Sequence, residues 1–91
     1  MKRQKQVYLY LGGGAVIENT QLIGVFDLDN TSWSHLTRRY LSQAEQAGLV
    51  QNAAEDIPRS FAVCADGTVI LTQPSTATLV RRLENQERTN V

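Results

Sequence analysis

Cysteine and histidine each occur once in the 91 residues, at Cys64 and His35. A lone cysteine forms no intramolecular disulfide, and a tetrahedral zinc site needs more ligands than this pair supplies. Neither a disulfide-stapled module nor a zinc domain is expected. Long hydrophobic runs are missing too, since no stretch approaches the ~20 apolar residues of a membrane span. The basic opening Met1-Lys2-Arg3-Gln4-Lys5-Gln6 leads into an apolar run that stops at Gly12-Gly13-Gly14, too short for a signal-peptide core. A cytoplasmic protein with no membrane contact is the expectation. Internal repeats and low-complexity blocks are absent.

Lysine disappears after Lys5, and every later cation is an arginine: Arg38, Arg39, Arg59, Arg81, Arg82 and Arg88. Nine basic and nine acidic residues cancel, and a pI near 6.5 is no nucleic-acid signature by itself. Arginine, however, is the side chain suited to bidentate contact with phosphate or carboxylate. Arginine without lysine is therefore a weak pointer to anion binding, to be weighed against chance.

What is present fits one small folded domain. Hydrophobic residues make up 42% and charged residues 20%, as in folded rather than disordered chains. A chain of this length buries only roughly two thirds of its unfolded surface, so a partner subunit would help it. The expected organisation is a basic extension over 1–6, a single domain over 7–84 and a polar tail over 85–91.

The periodicities predict an α+β fold. Strands are expected at Val7–Leu11, Ala15–Ile17 and Leu22–Asp27, the first two joined by a hairpin that Gly12-Gly13-Gly14 allows through φ > 0. The spacing of Trp33, Leu36, Tyr40, Ala44 and Ala47, with Leu41 beside them, predicts a helix over about 34–47 with Leu36 on its buried face. Asn30, Thr31 or Ser32 would cap it, and Gly48 would end it. A short strand at Leu49-Val50 is followed by a polar loop. Pro58 then marks the start of a strand, because it cannot donate to a ladder. Phe61–Ala65 and Thr68–Thr72 form a hairpin, with Asp66-Gly67 as a type I′ signal. A second helix opens at Gln73-Pro74-Ser75-Thr76, capped by Ser75, with Leu79, Val80 and Leu83 as its inner stripe. The order βββ-α-(β)ββ-α describes a small antiparallel β-sheet of hairpins with two helices.

No residue set makes a credible active site. His35 reads as a solvated or capping residue at a helix start, and Cys64 as a small packed hydrophobe mid-strand. Asp27 and Asp29 have a spacing that could hold a hard cation, but acids are also favoured ahead of a helix. The glycine run lacks the Lys-Ser/Thr of a phosphate loop and the helix that should follow. No catalytic residue, cofactor, metal or small-molecule substrate is expected. The arginines remain: Arg38-Arg39 in the first helix, Arg59 behind Pro58, and Arg81-Arg82 in the last helix. Surface ion pairs with nearby acids would account for them equally simply, at ~0.2–1 kcal/mol each.

Three stretches together resemble a known family. These are Tyr8-Leu9-Tyr10-Leu11-Gly12 with Val16-Ile17 and Ile23-Gly24-Val25-Phe26-Asp27-Leu28, then Pro58-Arg59-Ser60-Phe61-Ala62-Val63, then Leu71-Thr72-Gln73-Pro74-Ser75-Thr76-Ala77-Thr78-Leu79-Val80-Arg81-Arg82. They are similar to the RemA/RemB family of small bacterial extracellular-matrix regulators, over about residues 7 to 83. The resemblance implies a DNA-binding transcription regulator of biofilm-matrix genes that forms a ring-shaped homo-oligomer, octamer-like in size, with arginines contacting the DNA. Arg59 matches one family arginine. Two other family arginines fall on Pro58 and Gln21 here, so the same face carries fewer cations.

The resulting expectation is a non-enzymatic regulator whose subunits form a ring and touch the DNA backbone through Arg59, then Arg38, Arg39, Arg81 and Arg82. Repetition around a ring turns a modest patch into a basic track on a neutral chain. The alternative is an oligomeric scaffold or protein-interaction module without DNA, with Tyr8, Tyr10 and Trp33 as interface candidates.

Overall fold

A computed structural model describes residues 8–28 and 35–89, with the backbone alone for 86–89. The fold is α+β. Strands β1 (Tyr8–Gly12) and β2 (Ala15–Glu18) form a separate two-stranded antiparallel sheet. A 3₁₀ turn, Asn19–Gln21, leads into β3 (Leu22–Asp27). Helix α1 (His35–Gln46) follows, then β4 (Val50–Asn52), β5 (Ser60–Cys64), β6 (Val69–Thr72) and α2 (Thr76–Thr89).

The main sheet has the order β3-β5-β6-β4. Its first two pairings are antiparallel, whereas β4 lies parallel to β6, with Val50 opposite Val69. The third strand therefore does not continue the first hairpin: it crosses to β5, and β4 fills the far edge. Local sequence pattern carries no signal for that choice, because pairing partners are set by which apolar faces can be covered together.

Alternation along β5 and β6 sorts the core into two layers. Ala62, Cys64 and Ile70 face Leu9, Leu11, Ile17 of the hairpin and Leu79 of α2. Phe61 and Val69 point the other way, onto Ala44 of α1, with Leu28, Leu41, Val50, Val63 and Leu71 around them. The main sheet is thus sandwiched between α1 on one face and the hairpin with α2 on the other. Ser60 and Thr72 are the buried polar exceptions. Their hydroxyls lie 2.8 Å apart, and Ser60 also donates to the Pro74 carbonyl at 2.6 Å, which ties the chain after β6 to the start of β5.

Both hairpin turns are formed, but the type I′ geometry expected at Asp66-Gly67 is found at the glycine hairpin instead. The two-residue turn at Gly13-Gly14 has φ of 58° and 81°, the double positive φ of a type I′ turn. At Asp66-Gly67 only Gly67 has positive φ. Gly67 N–H donates to Cys64 O at 3.0 Å and Cys64 N–H to Thr68 O at 2.8 Å, a type I turn closed by a glycine bulge. The Asp66 carboxylate accepts from Thr68 N–H at 2.9 Å and holds that geometry without a left-handed aspartate.

Both helices are bounded as their sequences dictate. Gly48 takes φ 75°, with Gly48 N–H on Glu45 O at 3.0 Å and Leu49 N–H on Ala44 O at 2.9 Å, a Schellman C-cap. Ser75 Oγ accepts from Thr78 N–H at 3.2 Å, the expected N-cap. The expected caps at Asn30, Thr31 and Ser32, together with Asp29, Trp33 and Ser34, lie outside the described residues, as does the 1–6 extension.

The helical stripes need correction. In α1 only Ala44 is buried, while Leu36 is 73% exposed and Tyr40 and Ala47 are exposed as well. The main sheet meets α1 through the helix's second half, so the apolar stripe overruns its cover. In α2 Leu79 is buried and Leu83 half-buried, but Val80 is exposed because it sits one residue off the contact line. Helix α2 runs through Thr89, so 85–89 of the expected polar tail are helical.

Candidate functional site

The polar loop 53–59 is fastened at several points before it reaches Arg59. The Asn52 side-chain oxygen accepts from Ala54 N–H at 3.0 Å, and the Gln73 carboxamide oxygen accepts from Glu55 N–H and Asp56 N–H, both at 3.2 Å. Arg59 then donates its backbone N–H to Thr72 O at 2.9 Å and accepts from Leu28 N–H at 2.8 Å. Its backbone is therefore held on both sides, between β6 and the end of β3, while its side chain is exposed. A cation on a fixed backbone at a sheet end loses less freedom on meeting an anion than one on a loose loop.

Leu28 connects this position to α1. It lines a cavity of about 400 Å³ together with Arg38, Leu41, Ser42, Glu45, Val50 and Leu71. Leu28 is thus bonded to Arg59 and shares a cavity with Arg38, and both arginines have exposed side chains. Glu45 lines the same cavity. Arg39 is exposed on the neighbouring flank of α1.

The last pair is divided. Arg81 is exposed on α2, on the opposite side of the main sheet from α1. Arg82 is half-buried: its Nη1 donates to the Tyr10 carbonyl at 2.7 Å, and its guanidinium stands 5.6 Å from the Tyr10 ring centre. That cation–π and hydrogen-bond pair joins α2 to β1. The structure places Arg59 beside Leu28, which lines a cavity with Arg38, leaves Arg39 and Arg81 exposed on separate helices, and ties Arg82 to Tyr10.

Other titratable groups add no reactive centre. Cys64 is buried in the core, and its thiol is pushed up first by burial and then by the nearby Asp66 carboxylate. A thiol held in its neutral form is a poor nucleophile. Asp66 is held below the usual carboxylate range, mainly by its hydrogen bonds from Thr68. His35 is exposed at the start of α1. Among the described residues, no group of three or more His, Cys, Asp or Glu could hold a metal ion, and no helix is long and apolar enough to cross a membrane.

Sequence reasoning missed Leu28, which bonds the Arg59 carbonyl, and Gln73, which holds the loop ahead of it. A glutamine before Pro74 and a leucine after a strand carry no distinguishing pattern. Their roles depend on chain segments brought together only by the sheet. Compared with known proteins, the chain matches no protein-family model and no curated protein.

Proposed function

We propose that this protein is a non-enzymatic, DNA-binding transcription regulator of the RemA/RemB extracellular-matrix type, acting in the cytoplasm as a ring-like homo-oligomer. The observation that supports the reading is Arg59, exposed on a backbone hydrogen-bonded to Leu28 and Thr72, with the exposed Arg38 lining a cavity that Leu28 also lines. Two arginines per subunit, repeated around an oligomer, make a track for phosphates although each chain is neutral. Arg39 and Arg81 would add contacts at the margins. Contacts of this kind fix register and carry little base readout, so preference among sequences would come from DNA deformability.

The test is substitution of each arginine with binding measured over a range of salt. Arg59→Ala and Arg38→Ala should each weaken binding to every duplex and lower the salt slope by about 0.9 for each phosphate left without its cation. Arg82→Ala should act on stability instead, since its guanidinium already serves Tyr10. Unchanged affinity of Arg59→Ala at low salt would remove that residue from the interface.

A second reading has its own support. Ile23, Phe26, Leu36 and Tyr40 form an exposed apolar surface that suits a protein partner. On that reading the chain is an oligomeric scaffold or protein-interaction module. It predicts no DNA binding even at low salt.

A further inference from the structure

The glycine run of the first hairpin borders a polar concavity of about 430 Å³. Three parts of the chain that are distant in sequence meet there. They are the hairpin tip at Gly12 and Gly13, the loop at Ala53 and Glu55, and the turn from Gln73 into α2. Gly13 lies against the Ala53 carbonyl, which closes one end. A Cβ on Gly12 would come within 3.6 Å of Pro74, so a side chain there would fill the gap between hairpin and turn. A glycine within a strand often marks such a place, where another group must come close to the backbone.

Polar groups on its wall are set by contacts of their own. The Gln73 carboxamide accepts from Glu55 N–H and Asp56 N–H, both at 3.2 Å, and only its oxygen can do so. That fixes which way the amide points, and its NH2 group takes no part in those bonds. Arg82 lines the same concavity and is half-buried. Its Nη1 donates to the Tyr10 carbonyl at 2.7 Å and its guanidinium stands 5.6 Å from the Tyr10 ring centre, so the cation is held in place. Glu55 supplies the opposite charge. Its side chain is exposed, and among the described residues no ion pair joins it to Arg82. Two opposite charges therefore line one concavity without cancelling each other.

We propose that this concavity binds a free α-amino acid, its carboxylate on Arg82 and the Gln73 NH2 and its ammonium on Glu55. A guanidinium and an amide are the donors a carboxylate takes best, and donors already fixed by the fold lose little freedom when it arrives. Glu55 repels a plain anion such as phosphate, and Arg82 repels a plain cation; a zwitterion satisfies both. The Tyr10 ring and Pro74 give an apolar wall for the ligand's side chain. The volume lies near the lower end of the ~300–1,000 Å³ of small-molecule sites, which suits a ligand of amino-acid size. The hairpin and α2 lie across the main sheet from α1, so this site is separate from Arg38. It does not rest on the DNA-binding reading.

Thermal unfolding of the full chain, with each common L-amino acid added singly at millimolar concentration, is the first arm of the test. A ligand bound only by the folded state raises Tm. Calorimetric titration then measures the amino acid that raises it most, beside its N-acetyl derivative and its carboxamide. Each derivative lacks one of the two charges and should bind wild type about tenfold or more weakly. Glu55→Gln changes an exposed side chain and leaves the core alone, which circular dichroism checks. It should weaken the amino acid by a similar factor and bind the N-acetyl derivative about as well as the parent. Three results would each overturn the proposal: no amino acid that raises Tm, a derivative that binds wild type as tightly as its parent, or unchanged affinity in Glu55→Gln. DNA binding is measured apart, without added amino acid, so failure of one reading leaves the other standing.

Discussion

At the scale of single residues, the glycines of the first hairpin are not equivalent. Gly13 and Gly14 both have positive φ, which costs a side chain about 1 kcal/mol or more. A Cβ at Gly14 would meet open space, whereas one at Gly13 would collide with the Ala53 carbonyl. Gly14→Ala should therefore lower stability by roughly 1 kcal/mol, and Gly13→Ala by at least ~1 kcal/mol more, since the carbonyl belongs to backbone and cannot turn aside. Urea denaturation of the two variants checks the difference. Equal losses would mean that the hairpin tip and the β4–β5 loop are not in contact. Arg82→Ala belongs to the same scale. It removes a charged hydrogen bond and a cation–π contact on a half-buried side chain, so a loss of about 1–2 kcal/mol is expected in the same assay.

At the scale of elements, the Gln73 side chain links the turn before α2 to the loop before β5. Gln73→Ala should speed hydrogen exchange at Glu55 and Asp56, whose amides it accepts from, and leave the core strands protected. Unchanged exchange at those two amides would show that the loop is held by other means. Elements of this kind mark the limit of what the sequence discloses. Strands β1, β3, β5 and β6, both helices, the Gly48 stop and the Ser75 cap were legible because each is coded by local period or by one capping residue. The parallel seat of β4 and the crossing of β3 to β5 were not, since pairing is chosen by coverage of faces far apart in the chain. The exposure of Leu36 and Tyr40 was hidden for a related reason: a helical stripe states which residues are apolar, not how far the opposing sheet extends. Among the arginines, the resemblance pointed to Arg59 first. Only the fold shows that Leu28 bonds Arg59 and shares a cavity with Arg38, and that Arg82 is tied to Tyr10.

At the scale of the whole molecule, the chain is electrically neutral and carries exposed arginine and exposed apolar side chains among its described residues. On the proposed reading, a homo-oligomer repeats Arg38 and Arg59 at regular intervals, and a neutral 10.1 kDa chain would then present a multivalent basic track. The measurement that tests this most directly is fluorescence anisotropy on a long AT-rich duplex, titrated from low to physiological salt. Submicromolar binding at low salt, with an affinity that falls steeply as salt rises, is the predicted result. No binding at low salt, by a protein that nonetheless assembles, would contradict the DNA-binding account and leave a scaffold.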